Sequence, residues 1–491
     1  MVLPSYSFIF IFLPAVVILY HIANSRSYYT AGKAFLTVSS LVFYALLSPG
    51  LKGLAALLLM AGISYTVSYF GIGRASNLSL KKTFLILGIT LNIVLLIYCR
   101  YLGYIQQLIE QAKGSAPALK SLVVPVGISY FTFSQIAYLV DTYRDPSVIC
   151  SFWDYLLFIS FFPKISVGPI ALSTEMIPQF NDISRKTVNH DNMAKGLYRF
   201  TLGLSKKLLI ADNLAPFVDI GYSNILNLGS GNAILVILSY ALQIYFDFSG
   251  YCDIASGMCL MLNLDLCENF DGPYHSLSIN EFWKRWHISL TRFFRNYLYI
   301  PLGGNRKGKI RTYINTLFIF LISGLWHGAA THFVIWGMIH GIGMVISRII
   351  SPVSQKIPKI IRWFLTFSFV SLAWVFFRAD DTGIAIDMFK QLFLGFTPLN
   401  SALIAACIPT ECQLLQWFIL KIAPDFTYYS GCIIWIALVV LGIYFAAFSK
   451  PVKKRVEGFV ASSKKIAATV ILLTWSVLSL SQVAEFIYVN F

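Results

Sequence analysis

Apolar stretches long enough to cross a lipid bilayer recur along the whole chain, and they constrain the fold before any other feature does. A span needs about 20 mostly apolar residues. Inside lipid each backbone N–H and C=O must be satisfied within the protein, which makes a helix the available form for such a run. Good candidates lie at 5–23, 33–49, 53–72, 83–105, 231–250, 313–328, 331–350, 360–378, 430–448 and 466–486. Weaker or shorter ones lie at 122–141, 151–170, 199–220, 254–266 and 400–420. Only 12% of the residues are charged, against about 25% in a typical soluble domain. The expectation is an all-α, polytopic integral membrane protein with ten spans, some re-entrant or interfacial helices, and one continuous domain over residues 1–491.

The charge pattern fits that reading. The net charge of +16 would suit nucleic acid in a soluble protein, but in a membrane protein it reads as the excess of Lys and Arg in cytoplasmic loops. No nucleic-acid partner is therefore expected. The first 25 residues carry no Lys or Arg and no small-residue cleavage site, so a membrane helix over 5–23 is expected rather than a removable signal peptide. Arg26 and Lys33, Arg74, Lys81 and Lys82, and the run Lys450–Lys465 flank spans in a pattern that puts those loops on the cytoplasmic side. The loop with Arg306, Lys307, Lys309 and Arg311 would share that side. The eight cysteines include no C-x-x-C pair, so neither zinc nor a disulfide framework is supported.

Against this apolar background, two histidines stand out. His327 lies in S-G-L-W-H-G-A-A, among small residues that let a neighbouring helix or a substrate come close. A neutral imidazole there can take a proton from a hydroxyl near neutral pH, or can serve as a core histidine bonded to a neighbouring helix. His287 lies in E-F-W-K-R-W-H-I-S-L, within residues 279–299, which read as one amphipathic helix that lies in the interface or packs under the membrane bundle and does not span. On such a helix Lys284, Arg285, Arg292 and Arg295 face one way and the aromatic residues the other. His287 could bind a donor, polarise a carbonyl or orient His327, or could be an interfacial residue without a chemical role. His340, His332, His275, His190 and His21 read as structural. No carboxylate or thiol sits at ligand spacing from the pair, so no metal is expected.

Between the histidines runs P-L-G-G-N-R-K-G-K-I-R (301–311), where glycines permit tight turns and Asn305, Arg306, Lys307, Lys309 and Arg311 suit phosphate groups. It lacks the ending and the preceding strand of a P-loop, and a cationic cytoplasmic loop needs no ligand. Asp247 and Asp253 lie in an apolar neighbourhood and read as structural ion pairs, with the arginines just named as candidate partners, or as tunnel-wall hydrogen bonds, with catalysis as the alternative. Residues 125–145 mix polar groups into an apolar helix, either lining a cavity or bonding to neighbouring helices.

Taken together, P-V-G-I-S-Y-F-T-F (125–133), V-G-P-I (167–170), D-F-S-G-Y-C-D-I-A-S-G (247–257), E-N-F (268–270), E-F-W-K-R-W-H-I-S-L (281–290), Y-L-Y-I-P-L-G-G-N-R (297–306), G-L-W-H-G (324–328) and W-V-F-F-R-A-D (374–380) resemble the membrane-bound O-acyltransferases, in the order seen in the alginate O-acetyltransferase branch. The resemblance implies a ring of tilted membrane helices with re-entrant and interfacial helices around a central tunnel, and a catalytic core over about 120–380. It carries the two active-site histidines of the family onto His327 and His287. It also implies an acyl donor arriving from the cytoplasm, acetyl-CoA as a substrate rather than a bound cofactor, and an acceptor approaching from outside. Partners in that branch are a periplasmic SGNH-type acetyltransferase or esterase and a polysaccharide acceptor, with membrane lipids around the chain and the bacterial inner membrane as its location. This chain departs from the family pattern at Asn296, Asp271, Gly272 and Cys252, which excludes an acid at position 296. The expected activity is O-acetylation of an extracytoplasmic polysaccharide such as alginate or peptidoglycan, with His327 as general base. D-alanyl transfer to teichoic acid, a transporter or flippase for a polysaccharide precursor, and a scaffold that docks a secreted esterase are the alternatives.

Overall fold

The computed structural model describes residues 3–48, 51–103, 124–398, 400–406 and 408–482, with positions 105, 106, 109, 113, 486 and 487 besides. Regular structure among them is helical, with no strand. The chain groups into two compact units, one of residues 1–200, 254–268 and 295–297, the other of residues 201–253, 269–294 and 298–491. The first is built on α1 (Phe8–Ser25), α2 (Tyr29–Leu47), α3 (Leu51–Ile72), α4 (Leu78–Arg100), α5 (Ile128–Arg144), α6 (Phe152–Ser160) and α7 (Ser173–Asn181), and it includes the first turns of α8 (His190–Ser205). The second contains α9 (Asp212–Ser223), most of α10 (Gly229–Met261), α11 (Ile279–Arg285), α12 (Ile288–Phe294), α13 (Gly308–His327), α14 (Thr331–Ile349), α15 (Lys359–Arg378), α16 (Thr427–Ile443) and α17 (Ser463–Leu478).

Eight helical stretches among the described residues are long and apolar enough to cross a membrane, namely α1–α4, α10, α14, α15 and Pro424–Phe448. The ten expected spans shrink for identifiable reasons. The stretch at 313–328 belongs to α13, whose hydropathy is lowered by Lys309, Arg311, Asn315 and His327. The stretch at 466–486 ends as an α-helix at Leu478, and residues 483–485 lie outside the described residues. Candidates 231–250 and 254–266 are one helix, the 33-residue α10.

That last fusion has a physical cause. Asp247 and Asp253 interrupt the apolar run in the sequence, but in the fold both are paired with cations. Lys207 Nζ lies 2.7 Å from Asp247 and 2.8 Å from Asp212, and Lys206 Nζ lies 2.7 Å from Asp253. The partners are lysines of the π-helical turn Lys206–Ala211, and not the arginines expected from the sequence. Charges buried in this way are tolerated only when matched. Along its most apolar window α10 is 83% buried, so its acids face protein. In the first unit the polar groups of α5 likewise bond to neighbours: Ser64 donates to Gln135 Oε1 at 2.7 Å and Tyr297 donates to Asp141 at 2.7 Å.

Candidate active site

Helices α13 and α14 form a tight antiparallel hairpin. A Cβ added at Gly324 would strike the Phe333 carbonyl, and one added at Gly337 would strike the Phe320 carbonyl. Such backbone-to-backbone approach is the packing mode that small residues permit in membrane helices. His327 is the last residue of α13, where Gly328 turns extended and ends the helix. Its side chain is buried, and its ring meets Trp326, Trp336 and Phe377 edge-on at 4.8, 5.0 and 5.1 Å.

His287 reaches the same neighbourhood by another route. Residues 279–299 are not one amphipathic helix. Ser278 caps α11, accepting from Glu281 N at 3.1 Å, and the helix ends at Arg285. His287 takes φ +45, a left-handed conformation that is uncommon for a residue with a Cβ, and α12 starts after it at Ile288. The break turns the imidazole inward, where it is 1% exposed, instead of leaving it on the edge of an interfacial face. Its ring lies 4.9 Å from Phe248 and 6.0 Å from Trp326. Trp326 therefore contacts both histidines.

Asn269 fixes the protonation of His287. Asn269 Oδ1 accepts from Ser289 N at 3.2 Å and from Ser289 Oγ at 2.9 Å, and His287 Nδ1 lies 3.1 Å from the same atom. A backbone N–H can only donate, so that atom is the carbonyl oxygen, and His287 Nδ1 must carry the proton. The lone pair is then on Nε2. Burial holds the pKa of this histidine below its ordinary value, which keeps the ring neutral. A neutral Nε2 accepts a hydrogen bond and cannot donate one, so of the roles open from the sequence, polarising a carbonyl is excluded for this form. Asn269 belongs to the E-N-F motif, but nothing in its spacing marks it as a partner of residue 287.

Other histidines are held structurally. Trp283 Nε1 donates to His340 Nδ1 at 3.2 Å, which ties α11 to α14, and His332 Nδ1 lies 2.9 Å from the Phe376 carbonyl. His340 is not on a continuation of α13. The hairpin folds it back so that Trp336 lies between it and His327, 5.0 Å from each ring. In the first unit His21 Nε2 lies 2.9 Å from the Met261 carbonyl. Among the described residues no group of three His, Cys, Asp or Glu side chains is placed to hold a metal ion.

The cationic loop is an exposed turn. Gly303, Gly304 and Gly308 take φ of +100, +55 and +86, and Asn315 secures the turn by donating to the Gly304 carbonyl at 3.1 Å. Asn305, Arg306, Lys307, Lys309 and Arg311 are all exposed, and the four cations make no ion pair among the described residues. The structure does not bring them to the histidines. Gly308 and His327 are the two ends of α13, which at 1.5 Å per residue puts the loop about 28 Å from the base. A ligand that touches both must be long and thin.

Two buried histidines in a shared aromatic shell suit proton transfer to and from a hydroxyl. Residues 78–379 match MBOAT, the membrane-bound O-acyltransferase family. The chain belongs to that family. Over 415 residues it is 40% identical to the peptidoglycan O-acetyltransferase of Helicobacter pylori, covering 78% of each chain. It is 36% identical over 402 residues to the probable alginate O-acetylase AlgI of Pseudomonas aeruginosa, covering 80% of this chain and 75% of the other. A teichoic acid D-alanyltransferase of Bacillus subtilis is 27% identical over 274 residues, covering 52% of this chain. This membrane-bound O-acyltransferase is thus a multi-pass membrane enzyme, all-helical among its described residues.

Proposed function

We propose that the enzyme transfers an acetyl group from cytoplasmic acetyl-CoA, across the bacterial inner membrane, to a hydroxyl destined for an extracytoplasmic polysaccharide. The reading is supported by the named roles of the two most similar relatives above and by the geometry of the histidine pair. His327 is the general base: it takes the proton as the acceptor oxygen attacks the acetyl carbonyl, the C–S bond breaks, and the proton passes to the leaving thiolate. His287, its lone pair directed from Nε2, orients the reacting proton by accepting a hydrogen bond. The observation that carries the proposal is the tautomer of His287, fixed by Asn269 one tryptophan away from His327.

Donor phosphates are assigned to Arg306, Lys307, Lys309 and Arg311, with Asn305 on the same turn. The final acceptor is a polysaccharide of the alginate or peptidoglycan type, reached with a periplasmic SGNH-type partner. The test is reconstitution in vesicles with labelled acetyl-CoA, with and without such a partner, following the label. Loss of a general base lowers the rate by about 10²–10⁴, so His327→Ala is expected to lower acetyl transfer by that factor while still folding. Normal turnover in folded His327→Ala protein sinks the mechanism.

A further inference from the structure

Asn269 sets the tautomer of His287, and its own place needs an anchor. It lies on the non-helical stretch between α10 and α11, where no helix geometry fixes it. Its carbonyl accepts from Ile288 N at 3.0 Å, and its Oδ1 serves His287 Nδ1, Ser289 N and Ser289 Oγ. These four bonds all end on residues 287–289, the segment that carries the ring. They bind Asn269 and His287 to each other and leave open where the two sit together.

Among the described residues, one hydrogen bond of Asn269 leaves that segment. Its Nδ2 donates to Cys252 Sγ at 3.3 Å. Cys252 is on α10, in the same unit as Asn269 and His287, and both ends of the bond are buried. One turn earlier on α10, the Phe248 ring meets His287 edge-on at 4.9 Å and Phe270 at 5.0 Å. A single face of α10 therefore touches the imidazole and the residue that orients it. The two contacts differ in kind. Phe248 confines the ring but cannot say which nitrogen holds the proton, whereas a hydrogen bond has a direction.

An asparagine amide has a donor end and an acceptor end. With the donor end on the Cys252 sulfur, the oxygen faces His287 Nδ1. Rotated away, the amide offers its N–H or nothing to Nδ1, and the imidazole proton is free to move to Nε2. A buried N–H without an acceptor is costly, so loss of the sulfur gives the amide a reason to rotate. We propose that Cys252 is a positioning residue for acyl transfer, anchoring the Asn269 amide to α10 and so keeping the lone pair of His287 on Nε2. This rests on the acyl-transfer reading of the histidine pair. Sulfur is a weak acceptor, so the contribution is smaller than that of Asn269 itself.

The experiment reads the tautomer and the rate separately. Nitrogen NMR of full-length, histidine-labelled enzyme in detergent micelles, with the His287 signals assigned by their loss in His287→Gln, is compared for wild type, Cys252→Val, Cys252→Ala and Cys252→Ser. Wild type is expected to show one tautomer, protonated on Nδ1. Cys252→Val and Cys252→Ala, which keep no acceptor, are expected to show a mixture, with kcat lowered severalfold and the KM for acetyl-CoA unchanged. Cys252→Ser keeps an acceptor on a shorter arm and is expected to fall between them and wild type. In an Asn269→Ala background Cys252→Val should lower kcat no further, because both changes break one chain of bonds. A merely structural cysteine lowers thermal stability without moving the tautomer signals, and its losses add to those of Asn269→Ala; either result overturns the inference, as does a folded Cys252→Val or Cys252→Ala enzyme with wild-type tautomer and kcat. The two readings fail apart. A wild-type enzyme with the Nδ1 proton in place that transfers no acetyl group sinks the acyl-transfer reading, and with it any role of Cys252 in transfer, while the anchor itself is still judged by the tautomer signals of the variants.

Discussion

His287 and His327 arrive at the same aromatic shell by opposite means. His327 ends a regular helix, and its place is set by the glycine contacts of the α13–α14 hairpin. His287 sits at a break between two seven-residue helices, in a left-handed backbone conformation, and its ring is held by a hydrogen bond to Asn269. Glycine packing contributes to placing one, and the bond to Asn269 contributes to placing the other. The difference teaches that a shared contact, here Trp326, does not imply a shared support. Each histidine should fail through its own support.

The largest expected effect comes from removing the polar support. Asn269→Ala deletes the acceptor shared by His287 Nδ1, Ser289 N and Ser289 Oγ, so the tautomer is no longer fixed. We expect kcat to fall about 10²-fold, the lower end of what an acid–base group contributes, with the donor KM unchanged. An Asn269→Ala enzyme with wild-type kcat shows that packing alone positions both rings.

A smaller effect tests the other support. Gly337→Ala places a Cβ against the Phe320 carbonyl, and overpacking of this kind costs about 1–3 kcal/mol. Thermal unfolding should show that loss, and kcat should fall with it as His327 moves. If Gly337→Ala matches wild type in both, the hairpin contact does not set the position of the base.

The smallest effect is read from pH. Burial holds the folded pKa of His287 below its unfolded value, so below the ordinary histidine pKa the unfolded chain binds the extra proton first. Stability should therefore rise with pH in that range and fall on acidification, by about 1.4 kcal/mol per pH unit for one proton. His287→Gln should flatten this acid-side slope in unfolding experiments between neutral pH and pH 5. An unchanged slope means that the ring is not shielded as the structure has it.

Much of the fold is legible in the sequence, because long apolar runs can do little in lipid other than form helices. His327 is legible too, since its small neighbours point to a close helix contact. Hydropathy splits α10 at Asp247 and Asp253 because a linear reading charges the full cost of a buried acid and cannot see Lys207 and Lys206 about 40 residues earlier. Helical periodicity likewise carries α11 straight through His287, because no proline or glycine marks the break. What stops the helix is tertiary: Ile288 N bonds to the Asn269 carbonyl at 3.0 Å and Ser289 N to its side chain. The end-to-end separation of the cationic loop from the base is implicit in the length of α13.

The glycine hairpin also bears on how the enzyme responds to heat. Where side chains separate two helices, warming loosens the spacing gradually as rotamers exchange. At Gly324 and Gly337 the spacer is the peptide backbone itself, which has no rotamers to exchange. The geometry around His327 should therefore hold nearly constant with temperature until the hairpin opens as a unit. An Arrhenius plot of transfer should then stay straight and end in an abrupt break, without bending over gradually.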